Sequence, residues 1–385
     1  MLSAEQLLEH AETLTDSVQL VDRILRAGLF LHASDVHIDP LADSVRVRFR
    51  IDGELEEVLR VPASMQSSLT SRLKVLSSLD IAERRAPQDG GFTWRPSGIG
   101  AFNQPPLDIR MATLPVRHGE RITLRLLEVG GRRLSMDDLG MSACDRALFD
   151  KVLRRPFGLV LLTGPTGSGK TTTLYAAINE LMKRDSLNII TVEDPIEYEI
   201  AGVAQAEVDS ADKVNFAKAL KSLIRHDPDV VMIGEIRDSD SLDAAVKAAL
   251  TGHLVLSTLH TNDAKSTVTR LVDMGLDPSL AAATLRLSVA QRLVRRLCPK
   301  CREAYEPTDA ELVALGLKRT PGMRLFRARG CVDCGGRGYA GRIGLFELYE
   351  PAMGEQEFRP MRMDAQTKVL EGVTSLAEVI KAVGD

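Results

Sequence analysis

Residues 162–177 read LTGPTGSGKTTTLYAA, a strand exit, a glycine-rich turn and a helix start in one segment. Gly164, Gly169, Lys170 and Thr171 satisfy G-x-x-x-x-G-K-[ST], which cradles phosphates where it follows a strand and opens a helix. Both conditions hold here: GLVLLTG precedes the turn and a helical pattern follows it. The glycines let backbone N–H groups turn inward on phosphates, and the helix N-terminus adds positive potential. The loop residues expected around a nucleoside triphosphate are Gly164, Pro165, Thr166, Gly167, Ser168, Gly169, Lys170, Thr171 and Thr172. Lys170 is expected to reach the terminal phosphates, and the Thr171 hydroxyl suits Mg²⁺.

Three further apolar runs share the pattern: LNIITVED, DVVMIGEI and HLVLSTLHT. Near-continuous apolar strands separated by helical stretches predict an α/β fold, a parallel sheet covered on both faces. Ligands of such sheets sit beyond the carboxyl ends of the strands. The polar groups that leave each run are therefore the candidates: Glu193 and Asp194, Glu235, and His260. Glu235 stands at the correct end to serve Mg²⁺ or its water, against the plainer alternative of a salt bridge to Arg237. Asp229 lies at the opposite end of its run, about 20 Å away, and is expected to cap or turn. TVEDPIEY groups Glu193, Asp194 and Glu197 around Pro195, carboxylates that can hold a Mg²⁺ water and accept a proton from attacking water. His260 is either a γ-phosphate contact or a satisfied strand-end histidine, and His253 is expected to be structural.

The N-terminal third reads differently. Helical spacing covers AEQLLEHAETL and SVQLVDRILRAGLFLH. In SVRVRFRIDG, Val45, Val47, Phe49 and Ile51 alternate with Arg46, Arg48 and Arg50, predicting a half-buried strand that enters a hairpin at Asp52-Gly53. Residues 65–84 read as helix and LDIRMATLPVRHGERITLRLLE as strands. Residues 1–128 are thus expected to form a small α+β domain, with VGGRRLSMDDLG at 129–140 as a linker.

Composition bounds the partners. The 385-residue chain has net charge −4, 4% aromatics, one Trp and five Tyr, so no basic, aromatic-studded groove for nucleic acid is expected. No apolar run approaches the roughly 20 residues of a membrane span, and the N-terminus has no signal-peptide pattern. Four of the five cysteines, Cys298, Cys301, Cys331 and Cys334, form two C-x₂-C knuckles. Such knuckles point four sulfurs at one ion; structural Zn²⁺ is expected, with an iron–sulfur cluster as the alternative. Cys144 has no partner in this pattern.

GPTGSGKTTTLYAA, ITVEDPIEY, DPDVVMIGEIRD and ALTGHLVLSTLHTNDA, in this order, closely resemble the type II secretion and type IV pilus assembly ATPases over residues 17–350. The resemblance implies a RecA-like ATPase domain at 141–297 preceded by a PAS-like α+β domain. It also implies a tetracysteine zinc subdomain at 298–342, as in secretion and pilus-extension members, and a C-terminal helical segment at 343–385. It implies an ATP- and Mg²⁺-dependent homo-hexamer, cytoplasmic and docked on inner-membrane platform proteins. By it Glu193, Asp194 and Glu197 form an acidic box with Glu197 activating water. Glu235 serves Mg²⁺, and His260 senses the terminal phosphate. Arg110 in DIRMATLP and Arg125 in TLRLLE match arginines that approach the nucleotide; read without the resemblance they are a solvated strand face. The additional N-terminal domain of many members is expected to be missing and the C-terminal segment shortened. A nucleic-acid motor of similar fold and a low-turnover scaffold are the alternatives.

Overall fold

The computed structural model describes residues 16–96, 106–128, 134–184, 186–208, 216–352, 354 and 357–384. The chain divides into two units, Met1–Arg132 and Arg133–Asp385. The expected helix AEQLLEHAETL lies outside the described residues.

In the first unit, helix α1 (Ser17–Phe30) starts where the Asp16 carboxylate accepts the Val18 N–H at 2.8 Å. Leu20, Val21, Ile24 and Leu25 make its buried stripe. Strands β1 (Ala33–Pro40), β2 (Ser44–Ile51) and β3 (Glu54–Pro62) follow, then helix α2 (Gln66–Leu76) and strands β4 (Gln88–Trp94), β5 (Leu107–Val116) and β6 (Gly119–Glu128). The sheet order is β3-β2-β1-β6-β5-β4, antiparallel throughout. The predicted alternation holds: Val45, Val47, Phe49 and Ile51 are buried in the core with both helices, and Arg46, Arg48 and Arg50 share the other face. Asp52 and Gly53 both take positive φ, 50° and 92°, as a two-residue hairpin that matches strand twist requires.

Helix α2 stops well short of the expected residue 84. The Asp80 carboxylate accepts the Ala82 N–H at 2.8 Å and the Glu83 carboxylate accepts the Arg85 N–H at 2.5 Å, so side chains supply the backbone partners that a helix would need. Inside this unit Lys74 of α2 meets Glu120 of β6 at 2.6 Å, both side chains almost fully buried.

The second unit begins its described part within the expected linker. Met136 and Leu139 are 1% and 5% exposed, so this stretch is core rather than tether, a pattern that its Gly- and charge-rich composition concealed. Helix α3 (Ala143–Leu153), strand β7 (Gly158–Thr163), helix α4 (Lys170–Leu181), strands β8 (Ile189–Glu193) and β9 (Ala204–Glu207), helix α5 (Phe216–Leu223), strand β10 (Val230–Ile233), helix α6 (Ser239–Leu250) and strand β11 (Leu254–Leu259) follow. Helices α7 (Ser266–Asp273) and α8 (Pro278–Thr284) lead to the long strand β12 (Leu285–Leu297). Then come β13 (Glu303–Tyr305), α9 (Asp309–Leu315), β14 (Leu325–Arg327), β15 (Tyr339–Tyr349), α10 (Met361–Leu370) and α11 (Leu376–Val383).

The seven-stranded sheet runs β15-β12-β7-β11-β10-β8-β9, parallel except for β15 against β12. Its two faces carry separate cores. Val160 and Leu162 pack with Leu174 and Ile178 of α4, whereas Leu159 and Leu161 pack with Leu242 of α6 and Leu271 of α7. The four predicted runs are β7, β8, β10 and β11, four adjacent interior strands of this sheet. The boundary expected at residue 343 falls inside β15, because Ile343 and Leu345 are needed at the sheet. The cysteine-bearing segment is also not an independent body. Its Leu315 and Leu325 share one core with Val294, Ile343 and Met361.

Candidate nucleotide site and tetracysteine centre

The phosphate loop joins β7 to α4. Gly164, Gly167 and Gly169 take φ of 144°, 78° and 88°, a region closed to most side chains. A Cβ on Gly164 would also stand 2.4 Å from the Gln291 carbonyl oxygen of β12. The Lys170 ammonium donates to the carbonyls of Gly164 and Pro165 at 2.7 and 3.2 Å. Its burial holds the Lys170 pKa below the ordinary lysine value, with the Glu235 carboxylate opposing and the Arg292 guanidinium reinforcing that shift. Pro165, Thr166 and Thr171 are exposed, while the Ser168 hydroxyl is buried beneath the loop with no hydrogen-bond partner.

The neighbouring strand ends deliver the other candidates. Glu235 leaves β10 and meets His260, which leaves β11: Nε2 to Oε1 is 3.0 Å. The other Glu235 oxygen accepts from Arg237 Nε at 3.0 Å, and Arg237 Nη1 reaches Asp194 at 3.1 Å. Asp194, Arg237, Glu235 and His260 thus form one chain of charge across three parallel strand ends. The Glu235 carboxylate holds the Arg237 pKa above its ordinary value. His260 is pinned from below: the Thr163 hydroxyl, last residue of β7, accepts the Thr261 N–H at 2.6 Å and donates to the Thr261 carbonyl at 3.0 Å. Asp229 accepts the Asn188 N–H at 2.7 Å, far from this group, and His253 Nδ1 lies 2.9 Å from the Ala248 carbonyl at a helix end.

Glu193 departs from its expected place beside the nucleotide. It is 2% exposed, and its oxygens accept from the Tyr175 hydroxyl, from Thr191 at 2.6 Å and from Gln205 at 3.0 Å. A carboxylate so enclosed has no free edge for a metal-bound water. Asp194 and Glu197 are the exposed members of the acidic turn. Sequence reading set Arg237 aside as a plain ion-pair partner and passed over Tyr175, Gln291 and Arg292. Tyr175 lies on the buried face of α4, where nothing in the spacing separates it from its apolar neighbours, and Gln291 and Arg292 come from a strand more than 100 residues beyond the loop. Gln291 accepts from Thr173 of α4 at 2.8 Å, which fixes the start of that helix on the sheet.

In the first unit Arg110 and Arg125 are directly paired across β5 and β6. Arg125 Nε lies 3.2 Å from Asp35, and Arg50 lies 3.9 Å from the same carboxylate. Asp39 draws in Arg48 at 2.7 Å and Arg121 at 3.1 Å. The sheet face opposite the core is therefore an arginine-rich surface on which Asp35 gathers Arg50 and Arg125, and Asp39 gathers Arg48 and Arg121.

The four knuckle cysteines converge, their sulfurs all within 4.8 Å of one another. Cys298–Cys331, Cys301–Cys334 and Cys331–Cys334 are 3.9, 3.8 and 3.8 Å apart. Sulfurs about 2.3 Å from one ion at tetrahedral corners would stand about 3.8 Å apart, so the quartet fits a four-coordinate metal. Burial opposes a thiolate at Cys334, but N–H donation from Cys331 and Gly338, at 3.2 and 3.1 Å, prevails and holds the thiol down to about 7. For Mg²⁺ the Thr171 hydroxyl and the Glu235 carboxylate are oxygen donors of the kind the ion selects and could hold it.

A parallel sheet with a phosphate loop at one strand end and acidic and histidine groups at the next ones defines a P-loop nucleotide-binding protein. The comparisons with known proteins are narrower. The family model "Type II/IV secretion system protein" matches residues 10–381. Type II secretion system protein E of Pseudomonas aeruginosa is 46% identical, covering 94% of this chain and 75% of that protein. The type IV pilus assembly ATPase PilB of Myxococcus xanthus is 42% identical over 98% of this chain and 70% of its own length. The solved Legionella pneumophila ATPase DotB shares the fold at a TM-score of 0.68 and 22% identity, covering 93% of both chains. The chain belongs to the type II/IV secretion system protein family and is an ATPase of the secretion and pilus-assembly class. Nucleotide and Mg²⁺ use follow from that membership. Among the described residues no helix is long and apolar enough to cross a membrane.

Proposed function

We propose that this ATPase works as a cytoplasmic homo-hexamer, held at the inner membrane by platform proteins, and that ATP hydrolysis powers assembly of a type II secretion pseudopilus or a type IV pilus. The observation that carries the reading is the charge chain Asp194–Arg237–Glu235–His260 laid across the strand ends beside the phosphate loop. It links Glu235 and His260, the groups expected to meet the terminal phosphate, through Arg237 to the acidic turn after β8, so a change in phosphate state has a path along the strand ends. The names of the relatives supply the machinery to which that path would connect.

In this reading the amides of Gly164–Thr172 wrap the phosphates and Lys170 neutralises the terminal oxygens. Glu197 accepts the proton of the attacking water. His260, seated on Glu235, responds to the charge lost when the γ-phosphate leaves. The Thr171 hydroxyl and the Glu235 carboxylate would hold Mg²⁺, which would supply further charge neutralisation at the phosphate oxygens. A neighbouring copy contributes Arg110 and Arg125, so a pocket is complete only in a ring. The cysteine quartet would hold Zn²⁺, which would serve structure rather than chemistry there.

Lys170→Ala tests the core of the reading. ATP turnover, followed by phosphate release, is expected to fall to background while the thermal melting profile stays that of the parent. Retained turnover would remove the phosphate-loop assignment.

A further inference from the structure

The acidic turn that follows β8 is fastened from beneath. Tyr175 lies on α4, the helix that opens with Lys170 and Thr171, and its side chain is fully buried. A phenol offers one donor and two acceptor positions. The Tyr175 hydroxyl donates to Glu193 and accepts the backbone N–H of Glu197 at 3.3 Å. Burial and the Glu193 carboxylate hold the phenol pKa far above its ordinary value, so the proton stays on the oxygen and the direction of donation is fixed. The opposite oxygen of Glu193 is held by Thr191 and Gln205. Gln205 also donates to the Tyr198 carbonyl at 3.2 Å, and its own carbonyl accepts the Ile200 N–H at 2.6 Å. The Tyr198 ring stands edge-on to Tyr175, centroids 4.6 Å apart. Glu197, Tyr198 and Ile200 are thereby tied to the buried Tyr175 and the half-buried Gln205, and the first of these belongs to the phosphate-loop helix.

We propose that Tyr175 and Glu193 are positioning residues: a buried strut that sets the height of Glu197 above α4, so that the water-activating carboxylate moves as one piece with the phosphate loop. The proposal rests on the assignment of Glu197 given above. It takes Glu193 out of the metal-facing set and gives it a mechanical role. Tyr175 touches no reacting atom; its hydroxyl acts through the Glu197 backbone. A carboxylate displaced by even about 1 Å from the attacking water loses much of its effect, whereas nucleotide binding, made by the loop amides and Lys170, does not depend on the strut.

The test uses the full chain with Tyr175→Phe, Glu193→Gln, Glu197→Gln and the Tyr175→Phe/Glu197→Gln double variant. Turnover is measured against ATP and against Mg²⁺, with fluorescent-nucleotide affinity and thermal melting alongside. Tyr175→Phe keeps the ring and is expected to lower kcat about tenfold, the scale of one buried hydrogen bond, with KM and nucleotide affinity unchanged. In the Glu197→Gln background, read by single-turnover rates, the same change should add nothing further. Glu193→Gln should lower kcat without moving the Mg²⁺ concentration for half-maximal turnover.

Unchanged kcat in Tyr175→Phe, or an equal loss in both backgrounds, would overturn the strut. So would a Mg²⁺ requirement raised tenfold in Glu193→Gln, which would return that carboxylate to the metal. This last arm decides even if Tyr175→Phe melts early. Full turnover in Glu197→Gln alone would strike the underlying assignment instead, in a variant that leaves the strut intact.

Discussion

Glu193 and Glu235 are both glutamates at the ends of parallel strands, and the fold treats them in opposite ways. Glu193 is enclosed by Tyr175, Thr191 and Gln205, while Glu235 keeps a quarter of its side chain open and shares its oxygens with His260 and Arg237. Only the second can exchange partners at low cost, because its present ones are partly solvated. Glu235→Gln keeps the shape and removes the charge on which both partners sit. Turnover is expected to drop by at least about 100-fold with nucleotide still bound, as removal of a charge-stabilising group does; turnover and fluorescent-nucleotide titration check it. The strand-end rule located both residues, but it could not tell an enclosed carboxylate from an open one, since that depends on Tyr175 and Gln205 arriving from other elements.

The elements were legible wherever periodicity was strong. The alternation of β2 and the four apolar runs became the expected strands, and the Asp52-Gly53 turn closed the expected hairpin. Helix α2 was overread because side-chain capping at Asp80 and Glu83 leaves no trace in apolar spacing. Its contact with β6 was unreadable too, since the Lys74–Glu120 pair joins residues far apart in the chain. Lys74→Met would leave Glu120 buried without its cation and is expected to destabilise the first unit by about 3–5 kcal/mol in chemical denaturation. Lys74→Met/Glu120→Leu should recover most of that loss. The tetracysteine element behaves differently, since its ligand spacing is local. Cys331→Ser is expected to abolish bound zinc by elemental analysis and lower the melting temperature, while nucleotide affinity is preserved. Because Leu315 and Leu325 share a core with α10, the loss should spread to the C-terminal helices and not stop at the knuckles.

For the molecule as a whole, the reading turns on sites completed between copies. Arg110→Ala should reduce ATP turnover in assembled rings, with no effect on nucleotide affinity of dilute, dissociated protein. Light-scattering mass with and without a nonhydrolysable ATP analogue, run beside the turnover assay, checks both halves. A monomer that hydrolyses ATP at the full rate would end the motor reading. Arg110 and Arg125 show why such a surface escapes a sequence. Each is one arginine on an alternating strand; the β5–β6 register makes them neighbours, and the β1–β6 and β1–β2 registers bring Asp35 and Arg50 beside Arg125.

The glycine-rich loop, the cysteine knuckles, the hairpin turn and the parallel strands were determined by sequence alone. Each is a local arrangement in which a few consecutive residues fix backbone angles, ligand direction or which face is apolar. The tertiary structure decided which carboxylate is buried and which is available, and that Arg237 bridges Asp194 to Glu235. It also decided that a tyrosine of the phosphate-loop helix holds the acidic turn. These depend on side chains brought together from strands and helices distant in the chain. Burial and hydrogen-bond partnership are properties of that assembled neighbourhood and have no fixed spacing along the polypeptide.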